Sequence, residues 1–456
     1  MPPSPPPSSL PRFNRVRKSP ASVQAPVAQH QDPRAARALP ADSLGRSLLL
    51  AAHAVAAVRA GKSLSEALLA LANELPAARA AAQDVAYGVL RRYGWGDFIL
   101  GRLLDKPLTH PETHALLLAA LHRLETRPDA AHMVVDQAVM AAGELAGGVF
   151  KGLVNGVLRN YLRQRASLLA AAASDDEATE QHPKWWLARL RRAYPQNWQQ
   201  IVAAGNQQPP MTLRVNTRQI TRADYLARLE SAGLPARLTG QCGLQLFKPV
   251  PVEQLPGFSE GWVSVQDAGA QRAAELLNPA ANARVLDACA APGGKTAHLL
   301  ERGDLDLLAL DINPGRVRRI EETLGRLGLC ATVKVGDCCT PELWWDGRPF
   351  AAILADVPCS ASGVVRRHPD IKGLRREGDI RRFAQTQAAI LDALWPLLLP
   401  GGQLLYATCS VFPEENSGQI DAFLVRQAGS ECLIEERWLP QDEHDGFYYA
   451  LLRKVF

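Results

Sequence analysis

The sequence predicts a multidomain chain: an all-α N-terminal domain, a small α+β linker module and a C-terminal α/β domain built on a parallel sheet. Three observations carry this. Over residues 43–173, apolar residues recur at three- and four-residue intervals, with almost no β-branched alternation. Residues 182–260 mix a strand pattern with helical ones. From residue 261, near-continuous apolar strands alternate with helical patterns to the end at 456, which indicates a parallel sheet covered on both faces.

Composition bounds the function classes. The chain has 456 residues, 51 Lys+Arg and 46 Asp+Glu, for a formal net charge of +5. That excess permits a polyanionic partner without demanding one. No apolar run is long enough to span a membrane, so no membrane partner is expected. The opening MPPSPPPSSLPRF lacks the apolar core of a secretory signal. None of the eight cysteines forms a C-x-x-C pair, so zinc-site spacing is absent and no metal is expected. Free thiols in a reducing, cytoplasmic setting are the natural reading.

Residues 1–42 are rich in Pro, Ser, Ala and Gln, with charges mostly from Arg, and are expected to form a disordered tail. Asp42 or Ser43 can cap the first helix and Gly61 can end it. SLSEALLALANEL, AQDVAYGVLRRY, ETHALLLAALHRL and KGLVNGVLRNYLRQR continue the helical period. An acidic linker, SDDEATEQ (174–181), follows. HPKWWLARLRRAYP restarts a helix, MTLRVNTRQ reads as a strand and TRADYLARLESAGL as the next helix. The five strands of the last domain are ARVLDACA, LDLLALDI, ATVKVGD, FAAILADVP and GGQLLYATCS. Ligands in such folds bind at the carboxyl ends of the strands, where Asp287, Asp311, Asp337, Asp356 and Cys409 sit.

The first of these strands runs into D-A-C-A-A-P-G-G-K-T (287–296), a glycine-bearing turn before a helix. A phosphate-binding P-loop would need Gly where Cys289 stands, and G-x-G-x-x-G is absent. S-adenosylmethionine carries no phosphate; it needs a tight turn and acceptors for its ribose and adenine. Asp311, 24 residues after Asp287, is placed for the ribose, and Asp337 lies near where adenine would sit. Each aspartate alone could merely cap the next helix. Four at successive strand ends weigh against coincidence.

A lone cysteine is ordinarily a small core residue. Cys359 and Cys409 differ, because each follows an apolar strand at the ligand-binding edge. Methyl transfer to carbon 5 of a pyrimidine needs a thiol, because that carbon is a poor nucleophile until a thiolate adds at carbon 6. A carboxyl group near the ring nitrogen and a base for the carbon 5 proton complete the demand. Asp356, Cys359 and Cys409 meet it.

D-V-P-C-S-A-S-G (356–363) and T-C-S (408–410), together with the 287–296 turn, resemble the RNA 5-methylcytosine methyltransferases of the NOL/NOP2/Sun group. The resemblance implies a Rossmann-like catalytic domain dependent on S-adenosyl-L-methionine. It implies Cys409 as nucleophile, Cys359 assisting product release and Asp356 against the cytosine. It places Cys289, Ala290, Ala291, Pro292, Gly293, Gly294, Lys295, Asp311, Asp337 and Asp356 around the cofactor. Q-D-V-A-Y-G-V-L-R-R (83–92) and V-N-G-V-L-R-N-Y-L (154–162) resemble a NusB-like RNA-binding domain. With H-P-K-W-W-L-A-R-L, L-R-V-N-T-R and V-S-V-Q-D-A-G-A-Q, the chain after residue 43 resembles the bacterial 16S rRNA members of the group. Small-subunit ribosomal RNA is then the expected partner and one cytidine the target, for a monomeric enzyme. Val357 stands where the group usually has Ala, and Gly373 where Trp is expected after R-R-H-P-D-I-K.

Arg366, Arg367, His368 and Lys372 follow the Cys359 loop and are expected to hold phosphates beside a flipped-out cytosine. Arg375, Arg376, Arg381 and Arg382 read as a solvated face, and Trp185 and Trp186 as packing. Two alternatives remain: a tRNA cytosine-5 methyltransferase, against which the NusB-like domain argues, and a non-catalytic RNA-binding factor, which would not need both loop cysteines.

Overall fold

The computed structural model describes residues 39–456. Most of the expected tail, residues 1–38, lies outside the described residues.

Seven helices build the N-terminal domain: α1 (Leu44–Arg59), α2 (Leu64–Leu69), α3 (Pro76–Arg91), α4 (Trp95–Leu103), α5 (Pro111–Thr126), α6 (Ala131–Ala142) and α7 (Lys151–Ala172). Ser43, not Asp42, is the cap of α1: its hydroxyl accepts from the Arg46 amide at 3.1 Å. Gly61 follows the helix at φ +104°, a conformation that costs glycine nothing. Apolar residues occupy nearly the whole circumference of α1, and it is correspondingly central, packed against α3, α5 and α6. Val55, Leu116, Leu121 and Val154 are fully buried there.

The acidic stretch is not a bare linker. Asp175 accepts from the Ala178 amide at 2.9 Å and starts a short helix, α8 (Asp176–Glu180). Two helices follow, α9 (Lys184–Ala193) and α10 (Trp198–Asn206). Trp185 and Trp186 both pack on Phe412 of the C-terminal domain, as packing residues should. The small sheet contains β1 (Met211–Val215), β2 (Ala236–Thr239), β3 (Gly243–Leu246) and β4 (Val263–Val265), in the antiparallel order β2-β3-β1-β4. Helix α11 (Arg222–Ser231) lies on it. Because β4 pairs with β1, this sheet ends a few residues beyond the expected boundary at 260.

The C-terminal domain opens with α12 (Ala268–Leu277) and alternates β5 (Arg284–Asp287), α13 (Gly294–Arg302), β6 (Asp306–Asp311), α14 (Pro314–Leu327) and β7 (Thr332–Val335). It continues with β8 (Phe350–Asp356), α15 (Ile371–Leu374), α16 (Glu377–Leu394), β9 (Leu398–Thr408), α17 (Ser417–Arg426), β10 (Ser430–Trp438) and β11 (Phe447–Lys454). The sheet order is β10-β11-β9-β8-β5-β6-β7. The five strands from β5 to β9 are parallel, as read from sequence. The hairpin β10–β11 adds an antiparallel edge that the sequence reading missed. Val285, Leu354 and Leu405 face α12–α14, while Leu286, Ile353 and Leu404 face α16 and α17. Alternate strand residues therefore serve opposite cores, which is why these strands read as continuous apolar runs.

Gly373 sits at the end of α15 and faces the helical domain rather than a substrate-side loop. It helps line an open cavity of about 250 Å³ with Val55, Val89, Trp95, Leu118 and His122. A Cβ added there would meet only Tyr93, at 3.7 Å. Gly373→Trp is expected to fill this space and stabilise the chain by about 1–2 kcal/mol, read as a higher denaturation midpoint. An unchanged or lower midpoint would show that the cavity cannot take the ring.

Candidate active site and cofactor turn

The functional side chains gather at the carboxyl edge of β5, β6, β7, β8 and β9. The sheet order puts β8 between β5 and β9, so the loops after these three strands are neighbours. Residues 50 apart in sequence thereby meet: Cys359 Sγ and Cys409 Sγ are 3.4 Å apart. Cys359 is buried and Cys409 half-buried. The hydrogen bond to Cys409, then burial, pushes the Cys359 thiol well above its ordinary value. Cys359 therefore keeps its proton, within hydrogen-bonding reach of the sulfur of the more accessible Cys409.

Asp356, at the end of β8, faces the same space. Lys295 Nζ donates to Asp356 Oδ2 at 2.6 Å, across from the first turn of α13. Lys295, in the first turn of α13, is thereby held by charge against the end of β8. Asp287 lies beneath it, fully buried, and accepts from Thr296 Oγ1 at 2.6 Å. Burial raises its carboxyl to about 7. Its other oxygen has no partner. Asp311 accepts from the amides of Ala291, at 3.2 Å, and Asn313, at 3.1 Å, so it fixes the turn before any ligand arrives. Asp337 accepts from the Cys339 amide at 2.8 Å.

These residues fit a sulfonium cofactor. The turn is tight because Gly293 adopts φ +96°, where a Cβ would come within 3.1 Å of the Ile320 backbone. Strand-end carboxylates supply acceptors, one of them orphaned, for the hydroxyl and amino groups and positive charge of such a molecule. Ala290 and Ala291 are buried in the wall of the turn, Pro292 is exposed at its tip, and Gly294 begins α13.

Glu415, in the loop after β9, was not singled out from the sequence. It is completely buried and ties the two cysteine loops together. Its carboxylate accepts from the Ser360 amide (2.7 Å), the Ser360 and Ser410 hydroxyls (both 2.5 Å) and Gln387 Nε2 (3.2 Å). Burial pushes this carboxyl up while the four donors pull it down. Asn416 adds a second brace, accepting from Thr408 Oγ1 at 2.6 Å and donating to Ser410 O at 2.9 Å. The available signal was an acidic pair, F-P-E-E-N, directly after T-C-S.

The expected RNA contacts need correcting. Arg366 is buried and paired with Asp445, and Arg367 is paired with Asp445 and, at 2.8 Å, with Asp267. Lys372 is fully buried, donating to Arg91 O at 3.1 Å and Asn206 Oδ1 at 2.5 Å. Asp445 and Asp267 already neutralise the two arginines, and Lys372, whose ammonium burial disfavours, ties the helical domain to α10. Only His368 of the four stays exposed. Arg366→Ala is expected to leave Asp445 partly uncompensated and to cost about 3–5 kcal/mol of stability. The salt dependence of RNA binding should keep its slope, which a phosphate contact would not. A shallower slope with unchanged stability would restore the phosphate role.

Comparison with known proteins matches three stretches. Residues 46–163 match the NusB family, 182–253 the RsmF/B-like ferredoxin-like domain, and 274–453 the description "16S rRNA methyltransferase RsmB/F". Ribosomal RNA small subunit methyltransferase B of Vibrio cholerae serotype O1 is 47% identical over 407 residues, covering 86% of this chain and 94% of that one. The crystal structure of PH0851 shares the fold, with a TM-score of 0.77 at 22% identity over 92% of this chain and all of that one. A methyltransferase homolog from Pyrococcus horikoshii aligns at 27% identity and a TM-score of 0.55, covering 61% of this chain and 97% of that one. No described helix is long and apolar enough to cross a membrane.

Proposed function

The chain belongs to the 16S rRNA methyltransferase RsmB/F family, and from that premise we propose that it methylates carbon 5 of one cytidine in small-subunit rRNA through a covalent cysteine–cytosine intermediate. The observation that carries this reading is the Cys359–Cys409 pair, 3.4 Å apart at the ends of adjacent strands.

S-adenosylmethionine is the cofactor of this fold, and when bound it supplies an electrophilic methyl group. The turn Cys289, Ala290, Ala291, Pro292, Gly293, Gly294 and Lys295 would hold it, with Asp311, Asp337 and Asp356. The helical domain grips the RNA, and a cytosine extruded from its stack enters between the turn and the thiols. Cys409 Sγ bonds to carbon 6, which moves electron density onto carbon 5. Asp356, oriented by Lys295, hydrogen-bonds the ring edge where charge accumulates. After carbon 5 is methylated, its proton leaves to a base, the carbon 6–sulfur bond breaks and the electron pair returns to Cys409. Cys359 lies beside that bond and assists release. The geometry is complete in one chain, consistent with a monomer, and the substrate sets a cytoplasmic location.

The test is methylation of total RNA lacking this modification with labelled S-adenosylmethionine, followed by mapping of 5-methylcytosine. Label at one small-subunit rRNA cytidine is the expected result; label confined to tRNA would overturn the substrate. Cys359→Ala should in addition trap a covalent RNA adduct that survives denaturation, and its absence would remove the release role.

A further inference from the structure

Three of the eight cysteines converge beside the cofactor turn on no residue the reaction uses as a nucleophile. The segment after β7 supplies Asp337, Cys338 and Cys339, whose carboxylate oxygen and two sulfurs lie within 4.8 Å of one another. The loop after β5 brings a third sulfur near, because Cys289 neighbours Cys338, outside that 4.8 Å set. Cys338 thus lies between two thiols, Cys339 next to it in the chain and Cys289 from the other strand end. Cys338 is buried, while Cys289, Cys339 and Asp337 are half-buried, so the cluster is not sealed from solvent.

We propose that Asp337, Cys338 and Cys339, with Cys289 as fourth ligand, bind a thiophilic divalent cation of the zinc class at the rim of the cofactor site. The absence of C-x-x-C spacing excluded a zinc ribbon. It did not exclude a site assembled from two strand ends. Zinc–sulfur bonds of about 2.3 Å in tetrahedral geometry put ligand sulfurs about 3.8 Å apart. Asp337, Cys338 and Cys339 therefore need to close by no more than about 1 Å, and Cys289 moves in to complete the set. A set of three sulfurs and one carboxylate selects zinc-like ions over magnesium or calcium, which take oxygen. Each thiol that coordinates surrenders its proton to solvent, so binding strengthens as pH rises. A structural role for the cluster, with Asp337 merely closing a turn onto the Cys339 amide, needs none of the three sulfurs to be solvent-reachable.

Competition with the cofactor follows, and this part rests on the function proposed above. Cys289 and Asp337 belong to the set assigned to S-adenosylmethionine, so a cation that captures them withdraws them from it.

The experiment uses the full chain, reduced, with cobalt(II) as the spectroscopic probe. One equivalent should give thiolate-to-cobalt charge-transfer absorption, displaced by zinc(II). Cys338→Ser and Cys339→Ser should each lose it, while Cys409→Ser should keep it. No band in the reduced wild type overturns the site. A band that survives in the Cys338→Ser/Cys339→Ser double variant but disappears in Cys409→Ser also overturns it, by moving the metal to the catalytic thiols. Circular dichroism of the serine variants separates lost ligation from lost folding, and Cys339→Ser, on the exposed side, serves if Cys338→Ser does not fold. Zinc should then weaken S-adenosylmethionine binding about tenfold or more in the wild type and not in Cys339→Ser. Metal bound with cofactor affinity unchanged would overturn the competition while leaving the metal site intact.

Discussion

Cys409→Ser should abolish methyl transfer, by about 10³-fold or more, with S-adenosylmethionine binding retained. A serine hydroxyl is far less acidic than a thiol, and no group among its neighbours is placed as a strong base to activate it. Its closest catalytic neighbour is the thiol of Cys359, which is itself held protonated by its hydrogen bond and burial. The loss should appear in kcat and not in cofactor affinity, because Cys409 follows β9 and is not part of the turn after β5. The same variant should form no covalent complex with RNA carrying 5-fluorocytidine, in which the step that frees the enzyme is blocked. Full activity in Cys409→Ser would remove thiol catalysis and leave direct transfer to a more nucleophilic atom.

Glu415→Ala should lower turnover by about 10²-fold although Glu415 touches no reacting atom. It is a positioning residue. Four donors from three residues converge on its carboxylate, and two of those residues, Ser360 and Ser410, directly follow the two cysteines. Removing the carboxylate strands these donors in a water-free interior, at about 1–3 kcal/mol for each one left unpaired. The cysteine loops then lose the tie that fixes their separation, and displacement of about 1 Å is enough for a loss of this size. Glu415→Gln should recover part of the rate, since the serine hydroxyls can rotate to meet an amide. The distinguishing readout is the rate of adduct formation in a Cys359→Ala background. It should fall with Glu415→Ala while cofactor affinity holds. Equal losses in both would make Glu415 a general structural residue.

Much of this fold was legible from local pattern. The helical period of residues 43–173 and the five apolar strands from ARVLDACA to GGQLLYATCS each correspond to observed elements. They are legible because each carries its own periodicity and, apart from the largely exposed edge strand β7, is buried on the faces that this periodicity predicts. The hairpin β10–β11 was missed for the converse reason. Exposed and half-exposed residues make up β10, with charges at Glu431, Glu435, Glu436 and Arg437, so it has no apolar run of its own. It is a strand because β11 pairs with it.

The site divides in the same way. Chain-adjacent chemistry could be read directly: the glycine turn at 293–294, the aspartates that end strands, and a cysteine just past each of two strands. These are one-dimensional facts, since a strand end is a place where a polar residue stops an apolar run. The fate of the charges could not be read, because a cation's role depends on which carboxylate lies across from it. Arg366 and Arg367 follow the Cys359 loop in sequence and looked like phosphate ligands. Asp445 and Asp267, some 80 and 100 residues away, neutralise them. Glu415 belongs to the same class, invisible until two strands placed 50 residues apart were laid side by side. Local sequence thus specifies periodicity, turns and the chemical inventory, which depend on neighbours along the chain. Folding alone settles electrostatic pairing and burial, because both are set by distance through space, and that distance is fixed only when the sheet order is.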